Sequence, residues 1–240
     1  MGGDGTLNEV LNGIVGSPVR LGFIPGGTAN VFACETGISR NPIRAAEAIL
    51  RYSPVRVAAG KVSPAGAPPR HFLLMAGAGL DRAVIDKVDH GIKKSHGKVA
   101  YWLAGLSMFG ARLPQMIVRV NGHSTRTGFV LVARVRNYGG DLAIAAGASL
   151  ARPDFEVVTF KGKTTLPYFL YLTGALFGAV ESLPGVYVTG TEVIALQGPA
   201  GQSIGMQIDG EAYGQLPATL EIVPDAVTLL VPPGSIRLRV

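Results

Sequence analysis

Along the first fifty residues the apolar positions keep a helical period that glycines interrupt. Leu7, Val10, Leu11 and Ile14 fall on one helix face. Thr6 followed by Glu9 has the form of a capping box and predicts a helix starting at Thr6. The apolar run over residues 19–24 predicts a strand that Pro25, Gly26 and Gly27 break. Thr28 can then cap a second helix carrying Val31, Phe32 and Cys34, which stops near Gly37. Asn41 and Pro42 have the order of an N-cap and a first helical residue, and open a third helix through Ala45, Ala46, Ile49 and Leu50.

Beyond Pro54 the period shortens to that of strands. VRVAAGKV and HFLLMAGAG flank a Pro/Gly/Ala loop over residues 64–69. QMIVRV, GFVLVARVRN, FEVVTF, VYVTGTEVIALQ, SIGMQID, ATLEIV and AVTLLVP follow, with an Asn121-Gly122 hairpin turn after the first of these. Two stretches depart from this pattern. Residues 80–113 read as two helices separated near 95–97, and residues 166–183 read as one helix that carries no charge until Glu181. That uncharged part is shorter than a bilayer span, so the helix is expected to be buried or interfacial, with Tyr168, Phe169 and Tyr171 suited to core packing or to an acyl-chain groove. The change of period puts the domain boundary at residues 53–57, between an α/β domain (1–57) and a β-rich sandwich or barrel-like domain (58–240). The C-terminal segment is expected to pack back on the first domain.

Composition narrows the class. Of 240 residues, 48% are hydrophobic and 16% charged, which excludes a disordered chain. The single cysteine, Cys34, excludes an internal disulfide framework and fits a reducing cytoplasm, and no signal-peptide pattern opens the chain. A net charge of +6 favours polyanionic partners: a nucleotide, an anionic lipid surface or nucleic acid. No recognition helix or aromatic-basic interleaving supports nucleic acid. The most basic stretch, Lys87, Lys93, Lys94 and Lys98 with His90 and His96 between them, reads either as a solvated helix face or as a contact for anionic headgroups or ATP phosphates.

Candidate chemistry concentrates in the glycine turns. Gly2, Gly3 and Gly5 surround Asp4 just before a predicted helix, and Gly26 and Gly27 precede another. Glycines at a helix N-terminus let backbone N–H groups converge on an anion, and the helix dipole adds to the attraction. Two such turns on adjacent strand ends suggest one phosphate-bearing ligand held between them. The Lys of a Walker A loop is missing from both. Far downstream, Asp209, Gly210 and Glu211 supply two carboxylates two positions apart, which on an extended strand would face the same way. A surface hairpin turn is the plain alternative.

GGDGTLNEVLNG followed by GFIPGGTANVFA resembles the catalytic domain of the diacylglycerol kinase and sphingosine kinase superfamily, in its bacterial lipid kinase branch. The resemblance continues through FLLMAGAGLDRAV, NYGGDLAIAAGASL and MQIDGEAYG, with LLVP close behind. It implies that residues 1–57 are a partial nucleotide-binding domain, phosphofructokinase-like and α/β, and that residues 58–240 are a β-rich, lipid-binding sandwich domain. It also implies ATP and Mg²⁺ as cofactors and transfer of the γ-phosphoryl group to a hydroxyl of diacylglycerol or a related membrane lipid. The superfamily places a strand, a helix and an Asn-Pro-x-x-Gly loop upstream of the first glycine turn, so the chain is expected to be N-terminally truncated, beginning part-way through its first domain. By the same resemblance Asp209 is the catalytic base. Gly2, Gly3, Asp4, Gly5, Thr6, Glu9, Gly27, Thr28, Asn30 and Glu211 lie on the nucleotide side. Asp4 and Asp141 are metal candidates, and Asp81 falls in a loop near the site. Val31 stands where many members have Asp.

The resemblance implies a cytoplasmic enzyme in peripheral contact with an anionic membrane, and a homodimer is left open. Asp209→Asn is expected to abolish transfer with the fold nearly intact. Two other functions stay open: an NAD kinase-like enzyme, which shares the GGDG turn, and a catalytically inactive nucleotide- or lipid-binding module.

Overall fold

The computed structural model describes residues 1–79, 112–138, 142–164, 170–171, 173–175 and 178–236. The two helices expected over 80–113, the basic stretch within them, Asp81, Asp141, Tyr168 and Phe169 lie outside the described residues. The described elements are mostly sheet. Helices α1 (Asp4–Ile14), α2 (Val31–Thr36) and α3 (Pro42–Ala48) and strand β1 (Arg20–Gly22) form the N-terminal part, and a 3₁₀ turn (Ile49–Arg51) leads out of it. Strands β2 (Ser53–Ala65), β3 (Arg70–Phe72), β4 (Met75–Gly79), β5 (Met116–Val120), β6 (His123–Thr127) and β7 (Phe129–Ala133) follow, then the short pair β8 (Asn137–Tyr138) and β9 (Leu142–Ala143). β10 (Phe155–Phe160), β11 (Val186–Thr191), β12 (Val193–Gln197), β13 (Gly205–Ile208) and β14 (Glu211–Val231) complete the chain.

β14 organises the sheet. The sequence predicts two strands here, ATLEIV and AVTLLVP, but a single strand runs from Glu211 to Val231 with register breaks between Gln215 and Ala218 and between Val223 and Val227. Along one edge it pairs antiparallel with β2. Elsewhere it takes β13, β12 and, in parallel, β1, with Arg20 opposite Thr228 and Gly22 opposite Leu230. The last residues of β14 are thus bonded to the first strand of the chain. β2 in turn runs unbroken through residues 53–57.

The apolar patterns follow from this layering. β7 reads FVLVA without alternation because both its faces are covered. Val130 and Val132 face the sandwich interior with Phe72, Met116, Phe155, Ile194 and Met206. Phe129, Leu131 and Ala133 face a second core that also takes Leu7 and Leu11 of α1 and Phe32 of α2. Asn121 and Gly122, at φ 49° and 78°, make the β5–β6 hairpin turn. In the stretch 166–183, residues 170–171 and 173–175 are helical and Val180–Ser182 is a 3₁₀ turn. Among the described residues no helix is long and apolar enough to cross a membrane.

Arg134, at the end of β7, is completely buried. Its guanidinium donates to the carbonyls of Asp154 (2.7 Å), Ala58 (3.1 Å), Leu150 (3.2 Å) and Arg152. Burial lowers its pKa to about 10, so it stays charged at neutral pH. Arg134→Met would leave four carbonyls without this donor and is expected to cost about 3 kcal/mol of stability, read from the midpoint of urea unfolding; an unchanged midpoint refutes it.

Candidate active site

The two glycine turns lie side by side. The Gly2 N–H donates to Ile24 O (3.1 Å) and the Gly26 N–H to Gly2 O (2.8 Å), as a short parallel bridge between Gly2 and Pro25. Gly3 and Gly27 meet backbone to backbone. A Cβ built on Gly27 would stand 2.7 Å from Gly3 Cα, and one on Gly3 would stand 3.2 Å from Gly27 Cα.

The helix starts differ from those the sequence predicts. α1 begins at Asp4, with Gly3 as its N-cap and no side-chain cap, so Thr6 and Glu9 form no capping box. Glu9 is instead drawn to Arg70, an ion pair that local sequence cannot reveal. Thr28 does not cap α2. Its cap is Asp4, whose Oδ2 accepts from Val31 N (2.9 Å) and Oδ1 from Phe32 N (3.1 Å). A carboxylate there suits the helix dipole and satisfies two otherwise orphaned donors. Asn30 is buried in the left-handed region (φ 49°) and closes the second turn: its Oδ1 accepts from Gly27 N at 2.9 Å, and its Nδ2 donates to Gly27 O at 2.7 Å. Asp4 therefore ties the first turn to the start of α2, while Asn30 braces the second turn from within. Beyond them, Glu35 of α2 accepts from Arg136 N (3.2 Å), and burial raises its pKa.

Asp209 and Glu211 do not lie on one extended strand. Ile208 pairs with Glu211, and Asp209 and Gly210, at φ 47° and 83°, form the two-residue turn between β13 and β14. Unlike a surface turn, this one is buried at Asp209. The Asp209 Oδ1 accepts from Leu74 N (2.9 Å) and Met75 N (3.0 Å), and its Oδ2 from Leu73 N (3.0 Å) and Asn8 Nδ2 (2.8 Å). The first three donors explain why FLLMAGAG is not one strand. The chain breaks between β3 and β4, and the successive N–H groups released there turn onto the carboxylate. Burial raises the Asp209 pKa, while the hydrogen bonds from Met75, Leu73, Asn8 and Leu74 work against that rise.

The hairpin reaches the glycine turns from the side. A Cβ on Gly5 would stand 3.4 Å from Glu211 Oε1, so the Glu211 carboxylate lies at the first turn of α1. Asn8 completes the junction. The apolar pattern assigns Val10 to the inner face of α1, but Val10 is 41% exposed, and the buried residues are Leu7, Asn8 and Leu11. Asn8, Asn12 and Arg70 are the members of the site that the sequence reading does not include. The signal for Asn8 and Asn12 is a polar residue one position beyond an apolar stripe, and Arg70 at the start of β3 has none. Thr6 and Thr28 are exposed at the rim. Among the described residues no three His, Cys, Asp or Glu side chains are arranged to hold a metal ion. Asp4, a metal candidate by sequence, has both oxygens engaged with α2.

Comparison with known proteins agrees with this architecture. The family model described as the diacylglycerol kinase catalytic domain matches residues 1–62, and that of the YegS C-terminal NAD kinase beta sandwich-like domain matches residues 75–231. The diacylglycerol kinase of Bacillus subtilis (strain 168) is 28% identical over 222 residues, which cover 90% of this chain and 71% of that protein. A probable lipid kinase YegS-like protein of Citrobacter koseri is 27% identical over 248 residues, covering 99% of this chain and 79% of its own. The crystal structure of a diacylglycerol kinase from Bacillus anthracis str. Sterne superposes with a TM-score of 0.75 over 96% of this chain and 76% of that one, a likeness of fold at 22% identity. The chain belongs to the diacylglycerol kinase and sphingosine kinase superfamily, in the bacterial lipid kinase branch whose catalytic-domain segment is followed by a YegS-type β sandwich.

Proposed function

We propose that this chain is an ATP-dependent lipid kinase that transfers the γ-phosphoryl group of ATP to a hydroxyl of diacylglycerol or a related membrane lipid. The observation that carries the reading is the junction of the Asp209–Gly210–Glu211 hairpin with the N-terminal turn of α1, joined by the 2.8 Å contact between Asn8 and Asp209. Residues 1–57 would supply the nucleotide side. The N–H groups of the first turn of α1 have no intrahelical partner and suit phosphate oxygens. Gly2, Gly3, Gly5, Thr6, Gly27, Thr28 and Asn30 would shape that cradle, with Glu211 at its edge. Residues 58–240 would supply the lipid side, in peripheral contact with the cytoplasmic face of an anionic membrane.

In the step we propose, the acceptor oxygen bonds to the γ-phosphorus as the bond to the β–γ bridging oxygen breaks. ADP leaves, and the hydroxyl proton passes to Asp209. A raised pKa suits Asp209 to receive it. Three of its four donors are backbone groups and the fourth is the Asn8 amide, so the carboxylate that would receive the proton is held in one orientation. Mg²⁺ would accompany the nucleotide's phosphates and neutralise charge there, held chiefly by those phosphates and water.

The test is transfer of labelled γ-phosphate from Mg-ATP into organic-extractable product on vesicles of total bacterial lipid, with NAD offered as acceptor in a parallel reaction. Label in lipid that is lost in Asp209→Ala supports the reading. The NAD arm is motivated by the NAD kinase-like description of the C-terminal family; label in NAD alone would replace the lipid assignment. ATP binding without turnover on either acceptor would leave a binding module.

A further inference from the structure

Outside the motifs that carry the family resemblance, one charged side chain touches both halves of the candidate site. Arg70 stands in β3, with its side chain 24% exposed. Its Nε donates to Asn8 Oδ1 at 3.0 Å, its Nη2 pairs with Glu9, and its Cζ lies 5.3 Å from the centroid of the Tyr213 ring. Tyr213 is two positions beyond Glu211 in β14, and its hydroxyl donates to Pro68 O at 2.8 Å. Arg70 thus contacts α1 through Asn8 and Glu9, and the strand that carries Glu211 through Tyr213.

The Asn8 amide has ends of opposite character. Its Nδ2 donates to Asp209 Oδ2 (2.8 Å) and His71 O (3.0 Å), both of which only accept. Its Oδ1 accepts from Arg70 Nε and, at 3.3 Å, from Asn12 Nδ2. An arginine can only donate, and the Asn12 amide is itself fixed, its Nδ2 donating to Asn8 O (2.9 Å) and His71 O (3.0 Å) and its Oδ1 accepting from His71 N (2.8 Å). Arg70 is the charged and shorter of the two donors to Asn8 Oδ1, and with the acceptor His71 O on the other end it opposes the flipped amide, in which Asn8 would set an oxygen against the Asp209 carboxylate.

We infer that Arg70 is a positioning residue of this site: by donating to Asn8 Oδ1 and lying on Tyr213, it keeps the donor end of the Asn8 amide on Asp209 and holds the Asp209–Gly210–Glu211 hairpin against α1. Its consequence for turnover rests on the kinase reading, whereas the orientation of Asn8 does not. Arg70→Met keeps much of the stem and removes every donor. It is expected to lower kcat about 30-fold, as a shift in site geometry can, while KM for ATP stays within about twofold. Arg70→Lys keeps the charge and an ammonium's three donors but not the planar fork, and is expected to lose only about threefold. Because Arg70 acts largely through Asn8, the double variant with Asn8→Ala should lose much less than the two single losses combined.

A second readout is independent of turnover: the side-chain NH₂ signals of Asn8 in ¹⁵N-labelled full chain. They should be protected from exchange in the unsubstituted chain, shifted and unprotected in Arg70→Met, and intermediate in Arg70→Lys. Unchanged Asn8 signals, or effects on kcat that simply add in the double variant, overturn the inference. If the unsubstituted chain transfers no phosphate, the kinase reading falls and the Asn8 signals alone decide this one. If Arg70→Met does not fold, Arg70→Lys carries the same comparison, since an ammonium lacks the planar fork that meets Asn8 through Nε and Glu9 through Nη2.

Discussion

Asp209→Asn is expected to lose about 2–4 kcal/mol of stability along with phosphoryl transfer, although the substitution is nearly isosteric. The carboxylate accepts from Leu73, Leu74 and Met75 N–H groups and from Asn8 Nδ2, two donors on each oxygen. An asparagine keeps one acceptor oxygen. Its NH₂ must then face either the Leu74–Met75 pair or the Leu73–Asn8 pair. Asn8 can turn only by giving up Arg70, Asn12 and His71 O, and a backbone N–H cannot turn at all. Relief of the desolvation that raises the Asp209 pKa offsets part of this cost. For a chain of this length the net loss corresponds to a melting temperature lower by about 5–12 °C. Glu211→Gln is the control, because Glu211 is exposed. It should reduce transfer while the melting temperature moves by about 1 °C or less, as surface substitutions do. Equal melting temperatures for Asp209→Asn and the unsubstituted chain would show that the four donors find other partners, and Asp209 would then be a reacting group without a structural role.

The contrast with the sequence-based expectation for Asp209→Asn has a physical origin. What the sequence reveals well is local: the Asn41–Pro42 helix start, where Asn41 Oδ1 accepts from Ile43 N and Arg44 N, the Gly37 stop of α2, and the Asn121–Gly122 hairpin. What it misreads has a distant partner. Glu9 fits a capping box three residues from Thr6 but pairs with Arg70. α2 is capped by Asp4, far earlier in the chain, although Thr28 is the nearer candidate. Asp209 looks like a free carboxylate in a turn until the break between β3 and β4 is brought against it. Asn8 is hidden for a related reason: an amide inside an apolar helix face is affordable only when every donor and acceptor is met, and its partners come from β3 and the β13–β14 turn. The glycine motifs were legible because glycine's role there is set by its own backbone.

That last point makes Gly27 the position of the other large expected effect. Gly27→Ala should reduce nucleotide affinity at least tenfold and stability by about 1–3 kcal/mol, the usual cost of overpacking. The added Cβ would stand 2.7 Å from Gly3 Cα and 3.0 Å from Asn30 Oδ1. Neither is the far end of a flexible side chain. Gly3 is backbone tied to its neighbour's bond with Ile24, and Asn30 is locked by two hydrogen bonds to Gly27 itself. The turns must separate, which pulls Asp4 off the N-terminus of α2. Two other glycines test whether the cause is this contact. A Cβ on Gly26 meets Met1 and Gly2 at 3.5 Å or more, an ordinary distance, so Gly26→Ala should bind nucleotide nearly normally. A Cβ on Gly13, in α1, meets nothing, so Gly13→Ala should raise stability by about 0.5–1 kcal/mol through helix propensity. Titration with a fluorescent ATP analogue and thermal unfolding of the three variants decide the matter. If Gly27→Ala and Gly26→Ala bind alike, the backbone contact between the turns does not shape the nucleotide site, and the phosphate cradle must be sought in one turn alone.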